Sequence, residues 1–142
     1  MPRFAANLTW ILQEVPMLDR FGAARALGFD AVECQFPYEH SPQELARACE
    51  DADLQFVMFN APPGDMDAGE YGLSGLPGRE SEFRDSIAMA LEYSAVLKNQ
   101  FIHVLAGIVP KGESREHCHD TYVENLAWAA ETCQQAGVGV LI

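Results

Sequence analysis

Short apolar segments alternate with longer segments of helical periodicity along the whole chain, and this alternation constrains the fold more than any other feature. Five apolar segments predict β-strands, at residues 4–9, 29–36, 54–59, 101–106 and 138–142. Apolar residues at helical spacing predict four helices between them, at about 17–27, 41–51, 79–97 and 116–135. The sequence therefore predicts an α/β fold, either a doubly wound sheet or the first half of a (β/α)8 barrel, with about four βα units and the start of strand five.

The turn after the first strand distinguishes these two folds. A sheet that binds nucleotide phosphates carries glycines in that turn, and residues 7–11 contain none. A polar residue also lies near the carboxyl end of each of the first four predicted strands: Asn7, Glu33, Asn60 and His103. In a (β/α)8 barrel these strand ends converge on one mouth, where active sites are built. Both features favour the barrel, and the four residues are candidate substrate contacts.

Three of these four residues also have a purely structural interpretation, and Glu33 is the exception. Asn7 and Asn60 would equally well cap a strand end or a turn through side-chain to backbone hydrogen bonds. Glu33 lies among apolar residues, where a carboxylate is costly unless it meets a cation, a metal or a hydrogen-bonded substrate, so a functional role is favoured. His103 would either donate to a backbone carbonyl in the core or polarise a bound oxygen.

The connection between the third strand and the third helix, residues 60–79, is unusually long and rich in glycine and proline. Connections in α/β units are usually a few residues, and longer ones are often lids or binding loops. Glu70 and Arg79 in this loop are candidate substrate contacts. The alternative is an internal salt bridge between them that holds the loop in shape.

Composition excludes several classes of function. The chain has nine basic and twenty-one acidic residues and a net charge of −12, which argues against a nucleic-acid partner or an anionic membrane surface. It has no apolar stretch of the roughly twenty residues that a membrane span needs. The four cysteines form no CxxC pair and the N-terminus does not resemble a signal peptide, so we expect a cytoplasmic protein with reduced thiols.

A metal site is not predicted from the residues alone. Residues 117–120 read His-Cys-His-Asp, but side chains one or two positions apart do not share a helix face, so a single mononuclear site is disfavoured.

Residues 138–142 are almost entirely apolar, which predicts a strand buried on both faces as in a parallel sheet. Such a strand normally has neighbours on either side and continues into a loop. We therefore expect residues 1–142 to form a single domain that is the front part of something larger. Exposed edges at the first and fifth strands would also favour pairing with a second copy.

Several segments, taken in order, resemble the hydroxypyruvate isomerase family. They are residues 3–10, 31–33, 36–38, 60–64, 69–70, 77–79 and 123–126. The resemblance covers the whole chain, and it implies a xylose-isomerase-like (β/α)8 barrel.

The resemblance implies isomerisation of hydroxypyruvate to tartronate semialdehyde, in glyoxylate and carbohydrate metabolism, or of 2-oxo-tetronates in related members. It places one proton-transferring glutamate directly after Ile142 and a second on strand eight, so no catalytic residue is assigned within this chain. It also implies a divalent metal, Mg or Mn, whose ligands come from strands five to eight. We expect the chain alone to be inactive, and a half-barrel that binds a small keto or hydroxy acid without turnover is the alternative.

Overall fold

Each of the first four strands in the computed structural model, which describes residues 2–142, is followed by a helix that packs against the sheet. The elements are β1 Ala6–Asn7, α1 Asp19–Ala26, β2 Ala31–Glu33, α2 Pro42–Asp51, β3 Gln55–Asn60, α3 Glu80–Leu97, β4 Phe101–His103, α4 Arg115–Gln135 and β5 Gly139–Leu141. All neighbouring strands are parallel and their spatial order is β1-β2-β3-β4-β5. A doubly wound sheet reverses its strand order part-way, and this sheet does not. The α/β prediction and the choice of a half (β/α)8 barrel are therefore confirmed.

Four of the five strands are shorter than the apolar pattern predicts, and β3, at six residues, has the predicted length. The predicted strand at 4–9 pairs only over Ala6–Asn7, and the predicted strand at 101–106 only over Phe101–His103. Asn7 ends β1 because its side chain accepts a hydrogen bond from the Thr9 backbone N–H, which turns the chain away from the sheet. The helices agree more closely with the prediction, and α2 and α4 each begin after a serine, Ser41 or Ser114, whose side chain caps the helix.

The second helix shows how directly such signals act. The Ser41 side chain accepts from the Glu44 backbone N–H, and the Glu44 carboxylate accepts from the Ser41 backbone N–H. Pro42 occupies the first turn, where its missing N–H costs nothing. This capping box fixes the start of α2 where the sequence predicts it.

The core lies between the sheet and the helices. Val32, Phe56, Phe59 and Ile102 are almost completely buried on the helix-facing side of the sheet. Phe56 packs against Phe21 of α1, with ring centroids 6.3 Å apart. Among residues 2–142, no helix is both long and apolar enough to cross a membrane.

The fifth strand is not buried on both faces, contrary to the expectation from residues 138–142. Val138 is buried, but Leu141 is 37% exposed and Ile142 is 75% exposed. The reason is that β5 pairs with β4 alone among the described strands. At its paired position the Phe101 ring lies over Gly139, where a Cβ atom would come within 2.8 Å of the ring.

Candidate substrate site at the strand ends

The structure places the four predicted residues at equivalent positions of four adjacent strands. Asn7, Glu33, Asn60 and His103 are the last residues of β1, β2, β3 and β4. We call these four residues the strand-end group. In a parallel sheet with right-handed crossovers, all four positions lie at the same edge.

Asn7 and Glu33 form the first of two hydrogen-bonded pairs in the strand-end group. They are register partners, and the Asn7 Nδ2 donates to Glu33 Oε1 over 2.8 Å. Asn7 Oδ1 accepts from the Thr9 backbone N–H at 3.0 Å. The capping role considered for Asn7 is thus confirmed, and the same amide also holds the carboxylate.

Thr9 joins this turn to the end of β2, a role that the sequence analysis missed. Its hydroxyl accepts from the Gln35 backbone N–H at 2.8 Å and lies 3.5 Å from the Cys34 sulfur. Arg20 of α1 adds a second tie, because its guanidinium donates to the Leu8 carbonyl at 2.7 Å. The only signal for Thr9 in the sequence is its place two residues after Asn7, which is typical of an Asx-turn.

Asn60 and His103 form the second pair. They are register partners on β3 and β4, and Asn60 Oδ1 lies 3.0 Å from His103 Nδ1. An amide oxygen can only accept, so Nδ1 carries the hydrogen and Nε2 of a neutral ring is the acceptor. The Asn60 side chain is therefore used to orient an imidazole rather than to cap a turn.

Three polar atoms of the strand-end group make no hydrogen bond within residues 2–142. They are Glu33 Oε2, Asn60 Nδ2 and His103 Nε2. None is among the fully enclosed atoms without a partner, which are Ser94 Oγ and Asn99 Oδ1, so all three are at least partly accessible, although Asn60 as a whole is only 4% exposed. The group thus presents a carboxylate acceptor, an amide donor and an imidazole acceptor along one edge of the sheet. Glu33 and His103 lie two strands apart, or on the order of 10 Å.

Glu70 and Arg79 lie apart from this group and bind each other. The Arg79 guanidinium donates to both oxygens of Glu70 and to both oxygens of Glu82. Hydrogen bonds from Arg79 lower the pKa of Glu70 and of Glu82. The Glu70 carboxylate also accepts from the Asp65 backbone N–H at 2.6 Å. The salt bridge considered as the alternative is therefore present, and a role in substrate binding for either residue stays a prediction.

A hollow of about 970 Å³ follows the face of the sheet that is opposite the helices. It is lined mainly by the amino ends of the strands, including Phe4, Ala31, Gln55 and Phe101, and Glu33 is the member of the strand-end group that reaches it. In a closed barrel this region is filled by layers of side chains. The hollow therefore corresponds to the region that side chains fill in a (β/α)8 barrel, and it meets the strand-end group only at Glu33.

The described residues do not by themselves form a metal site. In residues 2–142, no group of three His, Cys, Asp or Glu side chains is arranged to hold a metal ion. Within the 117–120 segment, His117 binds Glu113 at 3.0 Å while Cys118 is buried. Glu33 and His103 are of a ligand type, but they are too few without further donors.

Comparison with known protein families identifies the fold family of this arrangement. The model of the xylose isomerase-like TIM barrel family matches residues 21–142. The chain belongs to that family. The resemblance seen in the sequence is thereby confirmed.

This xylose isomerase-like chain is also similar in sequence to curated isomerases. It is 53% identical over 142 residues to a 2-oxo-tetronate isomerase from Cupriavidus necator, covering all of this chain and 55% of that protein. It is 42% identical to the hydroxypyruvate isomerase of Escherichia coli, covering all of this chain and 55% of that protein. The chain spans about half the length of the curated relatives it matches.

A solved structure agrees closely with the fold. The crystal structure of an AP endonuclease, family 2, from Brucella melitensis matches with a TM-score of 0.95 and 43% identity, over 99% of this chain and 54% of that chain. A structure of L-ribulose 3-epimerase matches with a TM-score of 0.72 at 18% identity, covering all of this chain and 49% of that one, and shows the shared fold alone.

Proposed function

We propose that this chain contributes the substrate-orienting half of an isomerase that moves a proton between adjacent carbons of a small hydroxylated 2-oxo acid. The observation that carries the proposal is the set of three accessible polar atoms at the strand ends, in a chain 53% identical to a 2-oxo-tetronate isomerase. Such a reaction needs the substrate's hydroxyl and carbonyl oxygens held in one orientation while the proton is moved.

The chemistry of these atoms supports a substrate with two hydroxyl groups. Glu33 Oε2 and His103 Nε2 are acceptors, so each would take a hydrogen bond from a hydroxyl group. Asn60 Nδ2 is a donor and would hold the carbonyl oxygen, where negative charge develops as the enediolate forms. A 2-oxo-tetronate has hydroxyls on two carbons, whereas hydroxypyruvate has one. We therefore propose 2-oxo-tetronate as the better substrate and hydroxypyruvate as the second.

The proposal assigns proton transfer to residues outside 1–142, as the family resemblance implies. If the complete enzyme binds a divalent metal, we propose that its ligands lie outside this chain. No step proposed for residues 1–142 depends on the metal. The four cysteines are free and buried, which supports a reducing, cytoplasmic compartment. Leu141 of β5 is 37% exposed, and this open apolar edge supports pairing of the strand with a second copy.

A chimaera tests this function most directly. Residues 1–142 replace the matching half of the Cupriavidus necator isomerase, and turnover of 2-oxo-tetronate and hydroxypyruvate is compared with that of the unmodified enzyme. We expect both substrates to be isomerised, with kcat/KM at least about tenfold higher for 2-oxo-tetronate, the equivalent of one hydrogen bond to a hydroxyl. The 142-residue chain alone should give no turnover.

The other outcomes separate the alternatives. A folded chimaera that binds 2-oxo-tetronate without exchanging its carbon-bound protons would favour a binding half-barrel over an isomerase. A folded chimaera with neither binding nor turnover would overturn the proposal. A preference for hydroxypyruvate would be consistent with the proposed isomerase function, but it would refute the assignment of two contacts to substrate hydroxyl groups.

A further inference from the structure

Tyr38 lies in the loop that follows β2 and contacts the backbone of Asn60, one residue of the Asn60–His103 pair. Its hydroxyl donates to the Asn60 backbone carbonyl over 2.7 Å. Its ring packs edge-on against Phe59, with centroids 6.2 Å apart, and against Tyr93 at 5.0 Å. These contacts fix the ring, so the hydroxyl has a defined direction toward Asn60.

The Tyr38 hydroxyl is a dependable donor. Burial raises the pKa of Tyr38 far above its usual range, with the neighbouring Tyr93 adding to the shift. The group therefore stays protonated at neutral pH. A neutral hydroxyl beside a backbone carbonyl can only donate to it.

The carbonyl that accepts the Tyr38 hydrogen bond belongs to a peptide unit that also contacts His103. The Asn60 carbonyl and the Ala61 N–H share one planar peptide unit. The Ala61 N–H donates to the His103 carbonyl at 2.9 Å, while Asn60 Oδ1 meets His103 Nδ1 at 3.0 Å. A shift of this peptide would lengthen the Ala61 contact and would also move the Asn60 Cα, from which the side chain reaches His103.

We propose that Tyr38 is a positioning residue for the His103 imidazole. By fixing the Asn60–Ala61 peptide, it keeps the Asn60 side-chain oxygen on Nδ1–H and leaves Nε2 as the acceptor that faces a ligand. The use of Nε2 by a substrate rests on the proposed function. The positioning itself is a property of the free protein and is measured without substrate.

Tyr93 provides a matched control in the same aromatic cluster. Its hydroxyl donates to the His40 carbonyl at 2.9 Å, and its ring packs on Tyr38. Within residues 2–142 it makes no hydrogen bond to Asn60 or His103. Tyr93→Phe therefore removes the same atom from the same cluster without touching the peptide that Tyr38 holds.

The test is the tautomer of His103 in the 142-residue chain, read from imidazole ¹⁵N shifts in long-range ¹H–¹⁵N spectra of histidine-labelled protein. The chain has four histidines, and the His103 signals are assigned by their loss in His103→Gln. We expect His103 to be mainly the Nδ1–H form in the wild type and in Tyr93→Phe. In Tyr38→Phe the ratio of the Nδ1–H to the Nε2–H form should fall by up to about fivefold, which corresponds to one hydrogen bond of about 1 kcal/mol.

An unchanged ratio in a folded Tyr38→Phe variant would overturn the proposal, as would an equal change in Tyr93→Phe. If Tyr38→Phe does not fold, as judged by circular dichroism, 3-fluorotyrosine at position 38 keeps the shape and makes the hydroxyl a stronger donor. The His103 ratio should then shift further toward Nδ1–H, and no shift relative to 3-fluorotyrosine at position 93 would overturn the proposal. A chimaera without isomerase activity would refute the proposed function while leaving this result standing.

Discussion

Asn7 and Glu33 are paired residues at the carboxyl ends of β1 and β2, and the Asn7 amide donates to one oxygen of the Glu33 carboxylate over 2.8 Å. The other side of the same amide accepts from the Thr9 backbone N–H, so the donor is held toward the carboxylate. Glu33 is thus fixed in place by a neutral partner, and it forms no ion pair within residues 2–142. This arrangement suits a carboxylate kept for a ligand better than one kept for stability.

The first prediction follows from this pairing. Glu33→Gln keeps an oxygen that accepts from Asn7, so the free energy of unfolding should change by less than about 1 kcal/mol. Isomerisation by the chimaera should fall at least about tenfold, because the amide accepts from a substrate hydroxyl more weakly than the carboxylate. Urea denaturation and steady-state kinetics measure the two effects. Glu14→Gln, at an exposed position, serves as the control, and a Glu33→Gln chimaera with full activity would refute a substrate role for Glu33.

The order and type of the elements could be predicted because each rests on local chemistry. Ser41 and Glu44 cap α2 through contacts three residues apart, which any reader of the sequence can anticipate. The ends of the strands depend instead on pairing with a neighbour, and pairing is a property of the fold. Phe4 is apolar and lies within the predicted first strand, yet it is outside the hydrogen-bonded ladder and is 72% exposed.

The residues of the candidate site could be predicted from the sequence, but the hydrogen bonds between them could not. Polar residues at successive strand ends indicate Asn7, Glu33, Asn60 and His103 directly. Their division into two pairs depends on strand register, which the sequence does not display. Tyr38 was missed because it acts through a backbone carbonyl, and a backbone carbonyl looks the same at every residue.

The second prediction concerns two glycines with opposite environments. At Gly72, which has φ of +131°, a Cβ atom would lie 2.3 Å from the Leu105 carbonyl oxygen. Gly72→Ala should therefore destabilise the protein by about 2–4 kcal/mol, since the neighbour is backbone that cannot rotate away. Gly22 lies within α1 with nothing within 4 Å, so Gly22→Ala should stabilise the protein by about 1 kcal/mol. Thermal unfolding measures both, and equal effects of the two substitutions would contradict the described loop geometry.

The third prediction concerns Asn125, which lies in a segment that contributes to the family resemblance. Its buried amide donates to the Ser74 carbonyl at 2.9 Å and so ties the long loop to α4. Asn125→Leu leaves that buried carbonyl without this donor, and we expect a loss of about 2 kcal/mol. Amide exchange at Gly75, whose N–H donates to Ala106, should accelerate at the same time. Thr132→Val on the same helix is the control. Unchanged exchange at Gly75 in Asn125→Leu would refute the role of Asn125 in holding the long loop to α4.

The fourth prediction is that the native protein resists thiol reagents. All four cysteines are free and buried. Burial raises the pKa of Cys34 and Cys133, and it raises the pKa of Cys49 to about 12, so the reactive thiolate is scarce near neutral pH. A chromogenic disulfide reagent should modify the thiols only at the rate of unfolding. Rapid modification of a thiol in the folded chain would show that the loops covering it open locally.

The last prediction is a pH dependence of the Glu70–Arg79–Glu82 cluster. Hydrogen bonds from Arg79 lower the pKa of both carboxyl groups in the folded protein. A carboxyl group with a lowered folded pKa stabilises the fold above its unfolded pKa, which is about 4.3 for glutamate, and that contribution is lost as the pH falls through the folded pKa. Arg79→Gln should therefore lower the melting temperature at about pH 7, and the difference from the wild type should shrink from about pH 4 downward.

Arg47→Gln, at an exposed position without an ion pair among the described residues, should show no such pattern. A difference between Arg79→Gln and the wild type that stayed constant down to about pH 3 would mean that packing, rather than ionised carboxylates, holds the loop.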